Sequence, residues 1–384
     1  MKIAIGIFRL TPRGGLEDHA IRIAEELAER GHEVTMFTTG KLPDMAVAAV
    51  SLDSRRKAFT NHGRLEAFAA DFRAATKDRF DRVVGFQAMA GLDVLFVADH
   101  LRNHTAASPL KRMLPRFRTF SRLEAEVFGP KSETRIMGLA RPQMEAFEKR
   151  YPKSRDRMMV LPPTITEQRR MPHLRTPELR AAIRARHSIA DGSPVWLWIG
   201  LQPTVKGLDR VLDALALVPS ATLLIGGIAR DDRKLAPLIR QAERLGVTQR
   251  IRWLGFLPRE DLSAHVAAAD VLAHPARVDV TGSVILEAII NGLPVVATRH
   301  CGFAPHVERA GAGRLVSQDF DVKEFAEALT IVAGPQHPAF SEAGIVYGQA
   351  PELYSGLKVA CDLIEAESWP KEITMAMGAP RAAA

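Results

Sequence analysis

The chain has 384 residues, 47% hydrophobic, 25% charged and 6% aromatic, with a formal net charge of +8. That length exceeds the usual single hydrophobic core and calls for two domains, while two cysteines, Cys301 and Cys361, supply neither a disulfide framework nor a metal-ligand spacing. No apolar run reaches the roughly 18 residues of a membrane span, and the positive balance favours anionic partners, although the scarcity of aromatics and the lack of a groove-reading motif argue against nucleic acid.

Lys2 opens directly into the strand-like IAIGIF with no signal-peptide pattern, so the cytoplasm is the expected compartment. A buried strand over 2–8 leads through TPRGG into a helix whose inner face is Ala20, Ile23, Ala24 and Leu27 and which stops at Gly31. Gly14 and Gly15, in the turn between them, would let a backbone N–H approach a phosphate or sugar. Paired glycine alone is weak evidence. A full GxGxxG is absent, which lowers a dinucleotide reading. Further strands fit 34–39, 82–86, 94–98, 135–139 and 158–161, with helices near 65–77 and 142–151. The alternation predicts a parallel sheet covered on both faces. Asp99 ends the strand VLFVAD, at the edge where open α/β sheets bind ligands, and is a candidate catalytic carboxylate able to orient or deprotonate a hydroxyl. Asp93 begins that strand and reads as structural, and Asn61-His62 read as a loop, open equally to a turn and to a contact with a second substrate.

Between Leu101 and Leu123 stand Arg102, Lys111, Arg112, Arg116, Arg118 and Arg122 without an acid, interleaved with Leu110, Met113, Leu114, Phe117 and Phe120. Such a basic amphipathic helix suits an anionic membrane surface or an acceptor phosphate; a solvated face on a basic protein is the competing explanation. Pro162-Pro163 and TEQRRMPHLRTP then break the pattern and are taken as the linker. The resulting boundaries are 1–163 for an N-terminal domain, 164–345 for a C-terminal domain, 346–368 for a last helix and 369–384 for a disordered tail.

The second alternating series opens at Thr176-Pro177 and has strands over 195–199, 222–225, 251–254, 271–273 and 294–298. Gly200 ends the first of these and Lys206-Gly207 opens the following helix, so Lys206 can lean over a bound phosphate. The segment HPARVDVTGSVILEAIINGLPVVAT is the most informative in the chain. Thr281, Gly282 and Ser283 are helix-opening residue types, and Val284, Ile285, Ala288 and Ile289 recur at helical spacing. The helix start has unpaired N–H groups and a positive dipole end, a site for a diphosphate. Asp279 and Glu287 bracket it eight residues apart, Glu287 within reach of ribose hydroxyls and Asp279 of a group on the other side. Spacing alone does not separate this from an ordinary strand, loop and helix with solvated acids.

That segment, together with AADVLAHP, IRWLGFLPREDL and the LLIGG strand end, resembles the family 4 glycosyltransferases, whose signature is Glu, seven residues, Glu, a helix and a Gly-Leu-Pro-Val-Val turn. Asp279 replaces the first Glu. PRGGLEDHAIRIA, TNHGR and DRVVGFQAMAGLDV are similar to the lipopolysaccharide core glucosyltransferase branch, and the resemblance covers 2 to roughly 365. It implies an α/β fold of two Rossmann-like domains facing a central cleft, the glycosyltransferase B-type architecture, with the last helix crossing back to the N-terminal domain. It further implies retaining transfer from a UDP-sugar, UDP-glucose in the first instance, to an inner-core heptose of lipopolysaccharide.

In that reading Asp99 and Asp279 are catalytic, and Gly14, Gly15, Lys206, Thr281, Gly282, Ser283, Val284 and Glu287 hold the donor. Lys111, Arg112, Arg116, Arg118 and Arg122 face the acceptor and the anionic membrane on the cytoplasmic side of the inner membrane. No metal or other cofactor is expected, lysine and helix dipole taking the ion's place. Two departures stand out. Leu201 occupies a position where many relatives carry Arg, so either Lys206 does more or an Arg from elsewhere such as Arg277 assists, and His19 stands where an acid is usual. The alternatives are a transferase using another sugar nucleotide and another envelope glycolipid or saccharide, or a catalytically weak nucleotide-sugar-binding protein.

Overall fold

A computed structural model describes residues 1–10, 15–42, 44–54, 58–101 and 109–369. It divides into two compact units, the first made of Met1–Thr164 and the segment from Tyr354 onward, the second of Ile165–Leu353.

The first unit runs β1 (Lys2–Gly6), α1 (Gly15–Glu29), β2 (Glu33–Thr38), β3 (Ala48–Ser51), α2 (Asn61–Thr76), β4 (Arg82–Gly85), β5 (Val94–Val97), α3 (Pro109–Met113), α4 (Pro115–Phe128), β6 (Arg135–Gly138), α5 (Arg141–Arg150) and β7 (Met158–Val160). Its seven strands are all parallel in the order β3-β2-β1-β4-β5-β6-β7. Parallel neighbours require crossovers, and the crossover helices cover both faces, so the strands read as unbroken apolar runs. The core gathers Phe68 and Phe72 of α2 against Phe128 of α4 and Phe147 of α5, the last two stacked at 4.3 Å. Asp93 is structural as expected: its carboxylate accepts the Val83 N–H at 2.7 Å.

The second unit contains α6 (Pro177–Arg186), β8 (Val195–Ile199), α7 (Leu208–Leu217), β9 (Thr222–Gly226), α8 (Ala236–Arg244), β10 (Ile251–Gly255), α9 (Arg259–Ala268), β11 (Val271–His274), α10 (Ser283–Ile290), β12 (Val295–Thr298), α11 (Ala304–Ala310), β13 (Gly313–Val316), α12 (Val322–Val332) and α13 (His337–Tyr347). Six parallel strands lie in the order β10-β9-β8-β11-β12-β13. This is the Rossmann order, in which the winding reverses between β8 and β11. Trp196 and Trp198 of β8, both fully buried, anchor the core.

α14 (Gly356–Glu365) belongs to the first unit and packs on α1, where Arg30 holds Asp362 at 2.8 Å and Glu365 at 3.0 Å. Trp369, which the sequence reading places in a disordered tail, donates its indole N–H to the Leu363 carbonyl at 2.9 Å. The rest of that tail, 370–384, lies outside the described residues.

Several local expectations are corrected. β3 and β13 were not expected; both are four-residue strands with exposed positions, too short for a clear period. Asn61 and His62 form the first turn of α2, whose N-cap Thr60 accepts the Gly63 N–H at 3.2 Å. The basic stretch is two helices, because Leu114 is extended before Pro115.

Asp270 joins helix and sheet in the second unit. Buried, it accepts the Val195 N–H at 2.7 Å, Arg180 at 2.5 Å and Arg184 at 2.7 Å. Asp270→Ala leaves two guanidiniums and a strand N–H without their acceptor, and urea titration should show a loss of about 3–5 kcal/mol. A loss below about 1 kcal/mol would mean that α6 is held by its apolar contacts alone.

Candidate functional site

Because the strand order reverses between β8 and β11, the loops leaving these neighbours diverge and open a crevice at their carboxyl ends. After β8 the chain passes through residues 200–207 into α7; after β11 it passes through 275–282 into α10. Each helix is entered through a left-handed glycine. Gly207 has φ 73°, and a Cβ there would fall 2.1 Å from the Pro275 carbonyl oxygen. Gly282 has φ 68°, and a Cβ there would meet Ile285 at 2.9 Å. The close passage of the two loops therefore depends on Gly207, and the turn into α10 on Gly282.

Asp279 is the hub, and it is buried. Its Oδ1 accepts the Gly282 N–H at 2.8 Å, capping the turn into α10, while Oδ2 receives both His274 Nε2 at 2.8 Å and Lys206 Nζ at 2.7 Å. The lysine backbone is held in turn, its carbonyl accepting the Trp198 indole N–H at 3.0 Å. The loop is pinned from outside by Gly302 N–H to the Asp279 carbonyl at 3.2 Å and Phe303 N–H to the Thr281 carbonyl at 2.6 Å.

These contacts decide the protonation states. Burial alone would push the Asp279 carboxyl up, but the hydrogen bond and charge of His274, joined by Lys206, hold it well below the ordinary carboxylate range. Burial alone would push His274 down, but its hydrogen bond to Asp279, with a further contribution from the neighbouring Cys301 sulfur, raises it from 6.5 to about 9. Nδ1 of that ring has no hydrogen-bond partner among the described residues, so the proton that the contacts hold is the one between Nε2 and Asp279. At neutral pH two cations surround one anion. Lys206, from the loop after β8, and His274, at the end of β11, thus leave one net positive charge with Asp279 beside the N-terminus of α10.

His274 is the functional residue that sequence reasoning misses. It opens the informative segment, yet a lone histidine ending a buried strand looks like core. Its only sequence signal is an acid five residues later on the same loop. Arg277, expected to assist with phosphate, is instead engaged by Asp209 of α7 at 2.6 and 2.7 Å and by the Thr204 carbonyl at 2.7 Å. Thr281, Ser283 and Val284 do line the start of α10, Ser283 exposed and the other two half-buried. Glu287 lies one turn further on α10 and is paired with Arg169.

Other predicted residues lie in the first unit. Asp99 follows β5 and is exposed, its carbonyl accepting the Gln143 amide at 2.9 Å, and it borders a largely apolar pocket with Phe86, Phe120 and Phe128. Gly15 opens α1, and a Cβ there would meet nothing within 4 Å; Gly14 lies outside the described residues. His19 bonds the Gly15 carbonyl and Thr164 Oγ1. Arg112, Arg116 and Arg118 are exposed, whereas Arg122 is paired with Glu126 and Glu66. Arg102 and the Lys111 side chain lie outside the described residues. Among the described residues no three metal-ligating side chains cluster, and no helix is long and apolar enough to cross a membrane.

Comparison with known proteins places this geometry. Residues 180–333 match the family described as glycosyl transferases group 1. The chain is 33% identical over 374 residues to the lipopolysaccharide glucosyltransferase WaaG of Escherichia coli K12, covering 95% of this chain and 98% of that protein. It is 34% identical over 174 residues to a D-inositol 3-phosphate glycosyltransferase of Mycobacterium leprae, covering 44% and 40% of the two chains. The crystal structure of WaaG, a glycosyltransferase involved in lipopolysaccharide biosynthesis, superposes with a TM-score of 0.84 at 31% identity over 94% of this chain and 99% of the other. HepE of Anabaena, solved with UDP and glucose, superposes at 0.71 with 20% identity over 95% and 99%, a likeness of fold.

The buried pair gives a pH prediction. His274 is raised to about 9, so its contribution to stability is complete below pH 6.5 and is lost as pH rises through 9; the depressed Asp279 gives the acid side, present above 3.8 and lost as pH falls. Both limbs describe one interaction and are not additive. Denaturant titrations should find wild type more stable than His274→Gln by on the order of 3 kcal/mol near pH 6, with the gap closing between pH 6.5 and 9. A gap independent of pH would mean that the ring acts by packing.

Proposed function

The chain belongs to the glycosyl transferases of group 1 and is a glycosyltransferase of two parallel-sheet α/β domains; we propose that it moves glucose from UDP-glucose to an inner-core heptose of lipopolysaccharide with retention of configuration. Full-length similarity to the Escherichia coli enzyme supports the substrates. The observation that carries the donor site is the net positive cluster of Lys206, His274 and Asp279 at the N-terminus of α10.

In this reading the diphosphate lies against the first N–H groups of α10, where the dipole and Lys206 meet its charge. Asp279 holds the lysine in place and closes the turn through Gly282. As the bond from the anomeric carbon to the diphosphate lengthens, negative charge grows on the leaving oxygen. Cations that need not reorganise lower that barrier. His274 is too deep to touch the phosphate, yet its charge offsets the carboxylate, leaving Lys206 an effective cation without a neighbouring arginine. No protein nucleophile is invoked. Glu287 accepts from the ribose hydroxyls, and Asp99, at the carboxyl end of β5, orients the acceptor hydroxyl. We assign no metal to the site.

The acceptor being a glycolipid, we place the enzyme on the cytoplasmic face of an anionic membrane through α3 and the start of α4. Phe120, Leu123 and Phe128 turn into the core, while Leu110, Met113 and Leu114 are 78%, 73% and 55% exposed beside exposed Arg116 and Arg118. Apolar side chains next to arginine suit a headgroup boundary.

Three measurements test the proposal. Purified enzyme with UDP-glucose and a heptose-terminated core acceptor should release UDP and give an α-linked product; activity with GDP- or ADP-sugars but not UDP-glucose would overturn the donor assignment. Lys206→Ala should weaken UDP binding by about 1.5–3 kcal/mol in calorimetry, and an unchanged affinity in a folded variant would remove Lys206 from the site. Wild type should sediment with anionic vesicles at low salt and be released by added salt. The variant Leu110→Ser, Met113→Ser, Arg116→Gln, Arg118→Gln should stay in solution while keeping its UDP affinity; sedimentation equal to wild type would move the membrane contact elsewhere.

A further inference from the structure

The segment that follows the proline pair, read in the sequence as a polar linker, is bound to α10 at the residue reserved for the ribose. A 3-10 turn over Glu167–Arg169 brings the Arg169 guanidinium onto Glu287 Oε1, with Arg169 33% and Glu287 21% exposed at their side chains. Asn291, one helical turn beyond Glu287, uses its whole amide to hold that segment: Oδ1 accepts the Met171 N–H at 2.5 Å, and Nδ2 donates to the Arg169 and Glu287 carbonyls at 2.8 Å each. Two kinds of tie, one charged and one through the backbone, therefore fix Arg169 beside Glu287. The guanidinium is aimed by its own main chain and is not a mobile surface side chain.

Only one arm of the fork is used. Glu287 Oε2 and the Nε and Nη2 groups of Arg169 have no protein partner among the described residues. Side by side stand a free acceptor and free donors, both partly open to solvent. A hydroxyl group donates one hydrogen bond and accepts others, so a vicinal diol is the ligand that satisfies such a pair: each hydroxyl gives its hydrogen to the carboxylate and takes one from the guanidinium. A carboxylate alone would satisfy only half of each hydroxyl. We propose that Arg169 and Glu287 act as a joint clamp on the ribose diol of the donor nucleotide, and that Arg169 sets the preference for ribose over deoxyribose. The proposal rests on the assignment of Glu287 to the ribose and adds to it a partner from the first residues of the second unit.

The test compares UDP with 2′-deoxy-UDP by calorimetry on full-length protein. Wild type should favour UDP by about tenfold or more, the scale of one hydrogen bond to a charged group. Arg169→Gln should lose about tenfold in UDP affinity and less than about twofold in 2′-deoxy-UDP affinity, so that the preference collapses. Arg169→Lys keeps the ion pair but not the fork; it should fold and retain charge, and it should also lose most of the preference. Equal losses for both nucleotides in both variants would overturn the proposal, since Arg169 would then act on phosphate charge or on folding. If Glu287→Gln erases the preference and the Arg169 variants keep it, Glu287 binds ribose without Arg169 and the inference alone fails. If wild type binds both nucleotides equally, the ribose assignment of Glu287 fails with it.

Discussion

A carboxylate out of water is costly unless it is well paired, and Asp279 meets that condition with three donors drawn from three pieces of chain. It takes the N–H of the residue opening α10, the imidazole ending β11 and the ammonium of the loop after β8. The turn into α10 at the strand-order reversal depends on this contact. So does the local charge. A buried acid paired with one cation would be neutral and of little use to a diphosphate; paired with two, it becomes the fixed centre of a cationic corner. Arg277 meanwhile braces its loop against α7 through Asp209.

The same economy of position recurs around Glu287. An eight-residue helix offers few side chains to a ligand, and α10 gives its interior face to the core through Ile285, Leu286, Ala288 and Ile289. The open side keeps Ser283, Val284 and one acid, Glu287, which is supported by the 3-10 turn over Glu167–Arg169. Loops held by a rigid scaffold are where recognition is expected, and Asn291 supplies the rigidity for this one.

How much of this was legible beforehand depends on the range of the interaction. Buried parallel strands such as VWLWI and LLIG announce themselves by unbroken apolar runs, and the start of α10 by Thr-Gly-Ser before an apolar repeat. Those are local signals. His274, Arg169 and the Arg277–Asp209 pair are set by contacts between residues far apart in the chain or hidden under an ordinary strand end, and no periodicity reports them. Arg122 illustrates an avoidable error: Glu126 stands four residues on, at the spacing of a helical ion pair, just beyond the acid-free window on which the basic-helix reading was built. The break at Leu114-Pro115 was likewise written in the sequence.

The central claim is that His274 is an imidazolium in the native protein at a pH where an ordinary histidine is neutral. Nitrogen-15 NMR of histidine-labelled protein at pH 8, with the His274 resonance assigned by its disappearance in His274→Gln, reads this directly. Two protonated ring nitrogens at pH 8, titrating to neutral only near pH 9, are the predicted result. A neutral ring at pH 8, with one bare nitrogen and a titration below pH 7, would contradict the account, because Asp279 and Lys206 would then cancel and the corner at α10 would carry no net charge.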